Sequence, residues 1–230
     1  MRDASHTETD RVRRIQDKHA SGYDRQISFF ERILFGGGRE WVCSRARGKT
    51  LELAVGTARN LPLYDDEVAL TGIDLSPEML ALGRRRADEI GHPATLQEGD
   101  AQNLAFEEES FDTVVCTLGF CTIPNPRRGL EEAHRVLVPG GSLLLLEHVR
   151  SPSRGVRMGQ RLLEPVSVRF EADHLLRDPM DHLEDVGFEI EELERSKWGI
   201  VERVAARKRA AGLGGPAASW REVTSGVSMS

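Results

Sequence analysis

Long apolar runs, paired cysteines and an excess of basic charge are all lacking in this sequence of 230 residues. No apolar stretch approaches the roughly 20 residues of a membrane-spanning helix. The first residues carry charge without the apolar run of a secretory signal. The three cysteines, Cys43, Cys116 and Cys121, form no paired framework and lack metal-ligand spacing. We therefore expect a cytoplasmic protein with no integral membrane segment and no metal site. The net charge of −6 argues against nucleic acid as the main partner, because phosphates favour a basic surface.

Hydrophobic periodicity indicates one α/β domain behind an N-terminal helix. Apolar side chains recur at spacings of three and four over residues 8–35, and Ser21-Gly22 is expected to break this helix in two. Beyond it, strand-like runs alternate with helical segments, which predicts a parallel sheet covered on both faces. The expected strands are 50–55, 68–73, 94–97, 111–117 and 142–149, followed by a closing antiparallel hairpin at 187–194 and 199–208. We expect a helical lid at 1–45, a domain at 46–208 and a disordered, Gly/Ser-rich tail at 209–230.

Residues suited to ligand binding stand at successive strand ends, where an open α/β sheet binds its ligand. Gly56 follows the first predicted strand and allows a tight turn. Asp74 ends the second, where a carboxylate can accept hydrogen bonds from a ribose diol. Asp100 follows the third and can accept from an adenine amino group, while the Ala101 N–H donates to the ring. Taken singly, most of these residues are better explained by a structural role such as a helix cap, but their shared order at successive strand ends favours a binding site.

The loop LELAVGTARN at residues 51–60 has fewer glycines than most nucleotide-binding loops. A dinucleotide loop of the G-x-G-x-x-G type requires three glycines, and Gly56 alone is present. The dinucleotide interpretation is therefore disfavoured.

Four segments resemble the class I S-adenosylmethionine-dependent methyltransferases, in the subgroup of ubiquinone/menaquinone and small-molecule or lipid methyltransferases. They read LELAVGTARNLPLY, LTGIDLSPEMLALGRRRA, EGDAQNLAFEEESFDTVVCTLGFCTIPNP and EEAHRVLVPGGSLLLLEHV. The resemblance implies an α/β fold with a Rossmann-like, seven-stranded, mostly parallel sheet of order 3-2-1-4-5-7-6 and helices on both faces. It also implies S-adenosylmethionine as the cofactor.

The family loop reads Glu-x-Gly-x-Gly-x-Gly, and Ala54 and Ala58 replace its outer glycines here. Ala58 falls in a predicted first helical turn, where alanine is favourable. The methyl group of Ala54 could crowd a ligand, so we expect a competent loop with weakened affinity.

The resemblance also assigns roles to residues at the strand ends. Asp74 would bind the ribose, Asp100 and Ala101 the adenine, and Gly56 with its neighbours the methionine part, while Tyr23 would touch the cofactor from the lid. The full expected cofactor-binding set is Tyr23, Glu52, Ala54, Gly56, Asn60, Asp74, Leu75, Met79, Asp100, Ala101, Thr117 and Leu118.

Three side chains are candidates for a catalytic base, namely His148, His174 and Tyr23. A thiol, phenol or amine acceptor needs a base whose pKa lies near the working pH. Each candidate also has a structural explanation, as a packed or surface side chain.

Two functions from different classes stay open. One is methyl transfer to a small, partly apolar or lipid-like acceptor through an O, N, S or C nucleophile. The other is a non-catalytic binding module with an impaired loop. Arg11, Arg13 and Arg14 on the N-terminal amphipathic stretch suit an anionic membrane surface, but a lid helix explains them better. A homodimer is also left open.

Overall fold

A mixed β-sheet forms the centre of the molecule. The structure is a computed structural model that describes residues 4–209 and 221–224. Its strands run in the order β3-β2-β1-β4-β5-β7-β6-β8. The first five are parallel to one another, whereas β7 is antiparallel to both β5 and β6. The strands are β1 Lys49–Leu53, β2 Ala69–Asp74, β3 Ala94–Glu98, β4 Phe111–Thr117, β5 Leu137–His148, β6 Phe188–Ser196, β7 Val201–Lys208 and β8 Arg221–Thr224. The expected order of the first seven strands is confirmed.

Strand β8 is an addition to the expected seven. It pairs in parallel with β6, in the register Glu192↔Arg221 to Arg195↔Thr224. Without it, β6 would expose a row of unpaired backbone groups, which favours pairing with an additional segment. The expected disorder of residues 209–230 therefore does not hold for 221–224, while 210–220 and 225–230 lie outside the described residues.

Helices cover both faces of the sheet, as expected. On one face Val42 and Leu80 pack with the strand residue Leu144. On the other face Leu130 and Leu183 pack with Leu143. Among the helices that the structure describes, none combines the length and apolar character that crossing a bilayer needs. The helices are α1 Ala4–Phe30, α2 Gly38–Cys43, α3 Pro77–Ile90, α4 Pro126–Val136, α5 Arg154–Glu171 and α6 Met180–Val186.

Two local expectations are wrong. Helix α1 continues without a break through Ser21-Gly22 and is followed by a π-helical turn at Glu31–Phe35. A glycine inside a helix costs only about 1 kcal/mol, which packing of α1 on the domain can offset. The short helix that the sequence predicts over residues 58–64 is reduced to the 3₁₀ turn Leu61–Leu63, because residues 56–60 form turns.

The start of α3 has residues that favour a helix N-terminus. The Ser76 hydroxyl accepts the Met79 N–H at 3.1 Å, and Pro77 occupies the first helical position. This cap stands directly after β2, so that Asp74 and the positive end of α3 lie at the same edge of the sheet.

Candidate functional site

The loop after β1 has a left-handed backbone at all three positions where the family pattern has glycine. The φ angles are 51° at Ala54, 55° at Gly56 and 57° at Ala58. The expectation that Ala58 lies in a helical turn is therefore wrong, because this loop does not begin a helix. Left-handed backbone costs an L-residue about 1–2 kcal/mol. Each alanine methyl is accommodated beside a glycine, since a Cβ on Gly119 would lie 2.9 Å from that of Ala54, and one on Gly83 3.2 Å from that of Ala58.

Asp74 connects this loop to the start of α3. Its Oδ2 accepts the Gly56 N–H at 2.8 Å, and its Oδ1 accepts the Ser76 N–H at 2.9 Å. Burial raises the pKa of Asp74 to about 6, although these amide donors act in the opposite direction. The carboxylate is therefore mostly ionised at neutral pH, and each oxygen keeps a second lone pair for a ligand hydroxyl.

A small cavity lies at the strand ends beneath α1. Five residues of the expected cofactor-binding set line it: Ala54, Asp74, Leu75, Asp100 and Ala101. Its volume is about 30 Å³, enough for about one water molecule. Pockets for small molecules are usually about 300–1,000 Å³. The cavity beneath α1 is therefore too small to hold a nucleoside.

Several lining residues were not foreseen from the sequence. Val12 and Gln16 reach the cavity from α1, and the loop after β4 adds Thr122, Ile123 and Pro124. The position of that loop at a strand end could have indicated its three residues. Gln16 carries no sequence signal of this kind. Ile73 and Gly99 complete the lining.

Other expected cofactor residues support the loop instead of lining this cavity. The Glu52 carboxylate accepts hydrogen bonds from Asn60 at 2.9 Å and from the Tyr64 hydroxyl at 2.8 Å. The Asn60 amide also donates to the Thr117 hydroxyl at 2.9 Å and accepts from Arg39 at 2.8 Å. Burial raises the pKa of Glu52 to about 7. The network fixes the turn from inside the protein.

Three further residues of the expected cofactor-binding set, Met79, Leu118 and Tyr23, do not line the cavity. Met79 is 1% exposed in the core and does not line the cavity. The Leu118 N–H donates to the Leu146 carbonyl at 2.8 Å, with a left-handed φ of 56° at Leu118. Burial raises the pKa of Tyr23 to about 12. Tyr23 therefore keeps its proton at neutral pH and is suited to donate a hydrogen bond.

Polar contacts hold α1 over the cavity. Asp17 accepts the Ser76 hydroxyl at 2.6 Å. Asp24 accepts the Thr57 hydroxyl at 2.6 Å and pairs with Arg86. These contacts attach α1 to the same loop and helix that carry Asp74.

A second group of side chains lies beyond β4 and β5. His148 Nε2 lies 2.9 Å from Asp173 Oδ1, an ion pair without hydrogen-bond alignment. Burial opposes a charge on His148, but Asp173 outweighs it and raises the pKa of His148 above its ordinary value. Burial likewise opposes a charge on Asp173, and His148 nevertheless lowers its pKa. The two residues therefore stabilise each other's charged forms.

Cys121 joins this pair, with one ligand-type atom of each of the three residues within 4.8 Å of the others. Burial and then the Asp173 charge raise the pKa of the Cys121 thiol well above its ordinary value. The ligand atoms of two residues on a tetrahedral zinc ion lie about 3.3 Å apart. The distance between His148 Nε2 and Asp173 Oδ1 is shorter, at 2.9 Å. We therefore treat the group as a neutral thiol beside an ion pair. Sequence spacing could not have revealed it.

His174 lies in a wide groove between α1 and α5. The groove has a volume of about 930 Å³. The His174 Nδ1 is 3.4 Å from Glu164 Oε1, while burial and then the Arg177 charge lower the pKa of His174. The remaining lining residues are Glu8, Arg11, Pro165, Val168, Arg169 and Phe170. Its size and mixed lining suit a partly apolar molecule.

Comparison with known proteins agrees with this geometry. The methyltransferase domain family matches residues 51–145. A phosphatidylethanolamine N-methyltransferase of Cereibacter sphaeroides is 44% identical over 103 residues, which cover 44% of this chain and 51% of that protein. A demethylmenaquinone methyltransferase of Deinococcus radiodurans is 32% identical over 148 residues, which cover 60% of this chain and 61% of that protein. The chain thus spans between half and two thirds of these relatives.

A solved structure of an S-adenosylmethionine-dependent methyltransferase from Thermotoga maritima has the same fold. Its TM-score is 0.66 at 21% identity, and the match covers 85% of this chain and 99% of that one. The fold is that of the Rossmann-like methyltransferases. Over residues 51–145 the chain matches the methyltransferase domain family, and it is similar to S-adenosylmethionine-dependent methyltransferases.

Proposed function

We propose that this chain transfers a methyl group from S-adenosylmethionine to a small, partly apolar or lipid-like acceptor. The observation that carries the proposal is the shared cavity of Asp74, Asp100 and Ala101 beside the left-handed loop. These groups stand at adjacent strand ends, where open α/β sheets bind nucleotides.

The residues at the cavity suit an adenosyl cofactor. The free lone pairs of Asp74 can accept the two ribose hydroxyls, and Asp100 with the Ala101 N–H can bind the adenine edge. The left-handed backbone around Gly56 leaves open space beside its Cα, where the methionine part can approach. When bound, the cofactor supplies an electrophilic methyl group on a sulfonium.

Access to this site requires α1 to move, because the cavity beneath it holds only about 30 Å³. Polar contacts such as those of Asp17 and Asp24 contribute about 0.5–1.5 kcal/mol each. Binding of a cofactor can offset a cost of that size. We therefore propose that residues 1–45 act as the lid of the domain at 46–208.

His148 is the base that we propose for the acceptor, with Asp173 as its positioning residue. Asp173 raises the pKa of His148 above its ordinary value, so that the imidazole binds an acceptor proton more strongly than a free histidine does. Tyr23 is proposed as a hydrogen-bond donor from the lid. We propose that His174, which lines the groove between α1 and α5, contacts the acceptor there.

The relatives favour a lipid-like acceptor, since their names state phosphatidylethanolamine and demethylmenaquinone as substrates. We propose a cytoplasmic location because Cys43, Cys116 and Cys121 are all free and buried, which suits a reducing compartment. The non-catalytic alternative required a loop impaired by Ala54. The position of the Ala54 methyl group beside Gly119, which has no side chain, supports a competent loop. The methyltransferase relatives also favour the enzyme over the alternative.

The test is turnover by the purified chain with S-adenosylmethionine and a panel of phenols, thiols, amines, quinols and amino-lipids. Formation of S-adenosylhomocysteine with one acceptor class is expected. His148→Asn should lower kcat by about 10²–10⁴-fold, while His182→Asn on α6 serves as the matched control and should leave it unchanged. Absence of turnover with every acceptor class would contradict the proposed methyl transfer. Equal kcat values in the His148→Asn and His182→Asn variants would contradict the role of His148.

A further inference from the structure

Helix α5 turns an apolar surface towards solvent. Leu162 is 72% exposed, Leu163 62%, Phe170 60%, Val166 57% and Met158 54%. These residues, here called the α5 apolar face, are five of the eight large hydrophobic side chains that are exposed in the described part of the chain. Contiguous exposed apolar surface of this kind marks an interaction site.

The orientation of this face is fixed by the opposite side of the helix. Gln160 is buried and accepts the Ser151 N–H at 2.8 Å. Its amide donates to the carbonyls of Val149 at 2.9 Å and Leu175 at 3.1 Å. Met158, Leu162, Val166 and Phe170 recur every four residues and therefore share one side of the helix. The fold holds these four side chains outward.

Basic charge accompanies the α5 apolar face. Arg154, Arg161 and Arg169 are exposed and Arg157 is half-buried. Within 4–209, no carboxylate pairs with Arg154, Arg157 or Arg161. The acidic residues of α5 are engaged elsewhere, Glu164 with His174 and Glu171 with His19 at 3.1 Å. The surface is thus locally cationic on a chain whose net charge is −6.

We propose that the α5 apolar face docks on an anionic lipid surface. Leucine, valine and phenylalanine flanked by arginine form the pattern of a helix that lies in the plane of a bilayer interface. A symmetric contact between two copies would bring the arginines of both together, so the charge favours lipid over self-association.

A tryptophan next to the helix extends the same surface. Trp198 is 70% exposed, and its carbonyl accepts the Ser151 hydroxyl at 2.6 Å, three residues before α5 begins. Tryptophan side chains are enriched at the headgroup level of membranes.

Docking would bring the groove beside α5 to the bilayer. Phe170 and Arg169 belong both to the exposed side of α5 and to the groove that holds His174. This consequence rests on the proposed function, because it concerns delivery of a lipid-like acceptor. Docking itself requires no methyl transfer and is tested without it.

The experiment is co-sedimentation of the full chain with phosphatidylcholine vesicles, with and without phosphatidylglycerol. The chain should bind the anionic vesicles, and its tryptophan fluorescence should shift to the blue. The double variant Leu162→Asp/Leu163→Asp should lower the partition coefficient at least tenfold. Ile90→Asp, which changes an exposed apolar residue of α3, is the matched control and should bind as the unaltered chain does. Arg154→Gln and Arg161→Gln should each weaken binding roughly fivefold.

Three results would overturn the proposal: equal binding to both vesicle types, unchanged binding of the double aspartate variant, or a dimer of the unaltered chain that the double variant converts to monomer. Calorimetry of S-adenosylmethionine with the double variant separates the two proposals. Retained cofactor binding with lost vesicle binding supports docking as an independent property. If the unaltered chain binds neither vesicle type, the docking proposal is wrong and the catalytic proposal is unaffected.

Discussion

Replacing Ala54 by glycine should stabilise the protein, contrary to the usual effect of glycine. Ala54 has a φ of 51°, and a left-handed L-residue costs about 1–2 kcal/mol. Glycine removes that cost but loses about 0.5–1 kcal/mol through its greater freedom in the unfolded chain. Because the Ala54 methyl is only half-buried, little packing is lost. We expect a net gain of about 0.5–1 kcal/mol in the free energy of unfolding.

Two matched substitutions separate backbone strain from packing. Ala58→Gly relieves the same strain but loses a fully buried methyl group, worth about 0.8 kcal/mol, so its net effect should be close to zero. Ala81→Gly lies on the exposed side of α3 and should destabilise by about 1 kcal/mol. Urea denaturation measures all three. If Ala54→Gly destabilises as much as Ala81→Gly, the strained-loop interpretation is refuted.

Three further predictions concern protonation and the lid. Asp173→Asn removes the charge that raises the pKa of His148, whereas burial continues to lower this pKa. The acid limb of the kcat–pH profile should therefore move to lower pH. An acid limb that does not move would contradict the pairing of His148 with Asp173. Because folding raises the pKa of Glu52 from 4.5 to about 7, stability should fall as pH rises through that interval. Glu52→Gln should make the free energy of unfolding, measured by urea denaturation, less dependent on pH. At pH 8 the substitution should raise this free energy by at most about 3 kcal/mol. Asp24→Ala should increase hydrogen exchange in residues 4–30 without changing it in β4, and unchanged exchange in α1 would argue against an Asp24 anchor.

The sequence predicted the sheet and the position of Asp74 because both depend on local patterns. Apolar runs of strand length alternate with helical periods, and the cap at Ser76 follows standard chemistry. The strand-end rule then places Asp74 and Asp100 at one edge. These features need no knowledge of tertiary contacts.

Features that depend on distant contacts were not predictable. The left-handed backbone of Ala58 is set by the turn around it and by the space beside Gly83, whereas propensity alone favoured a helix. The pairing of His148 with Asp173 joins separate segments without a sequence motif. An apolar stripe such as that of α5 usually indicates a buried face. The exposure of its side chains and the hydrogen bonds of the buried Gln160 show that it turns outward.

Calorimetric titration with S-adenosylmethionine tests the central claim most directly. The unaltered chain should bind one equivalent, and Asp74→Asn should weaken binding at least tenfold because the carboxylate no longer accepts both ribose hydroxyls. Asp66→Asn, an exposed control, should bind normally, and circular dichroism establishes that each variant is folded. A folded, unaltered chain that takes up no cofactor at millimolar concentration, or an Asp74→Asn variant that binds as tightly as the control, would contradict the account.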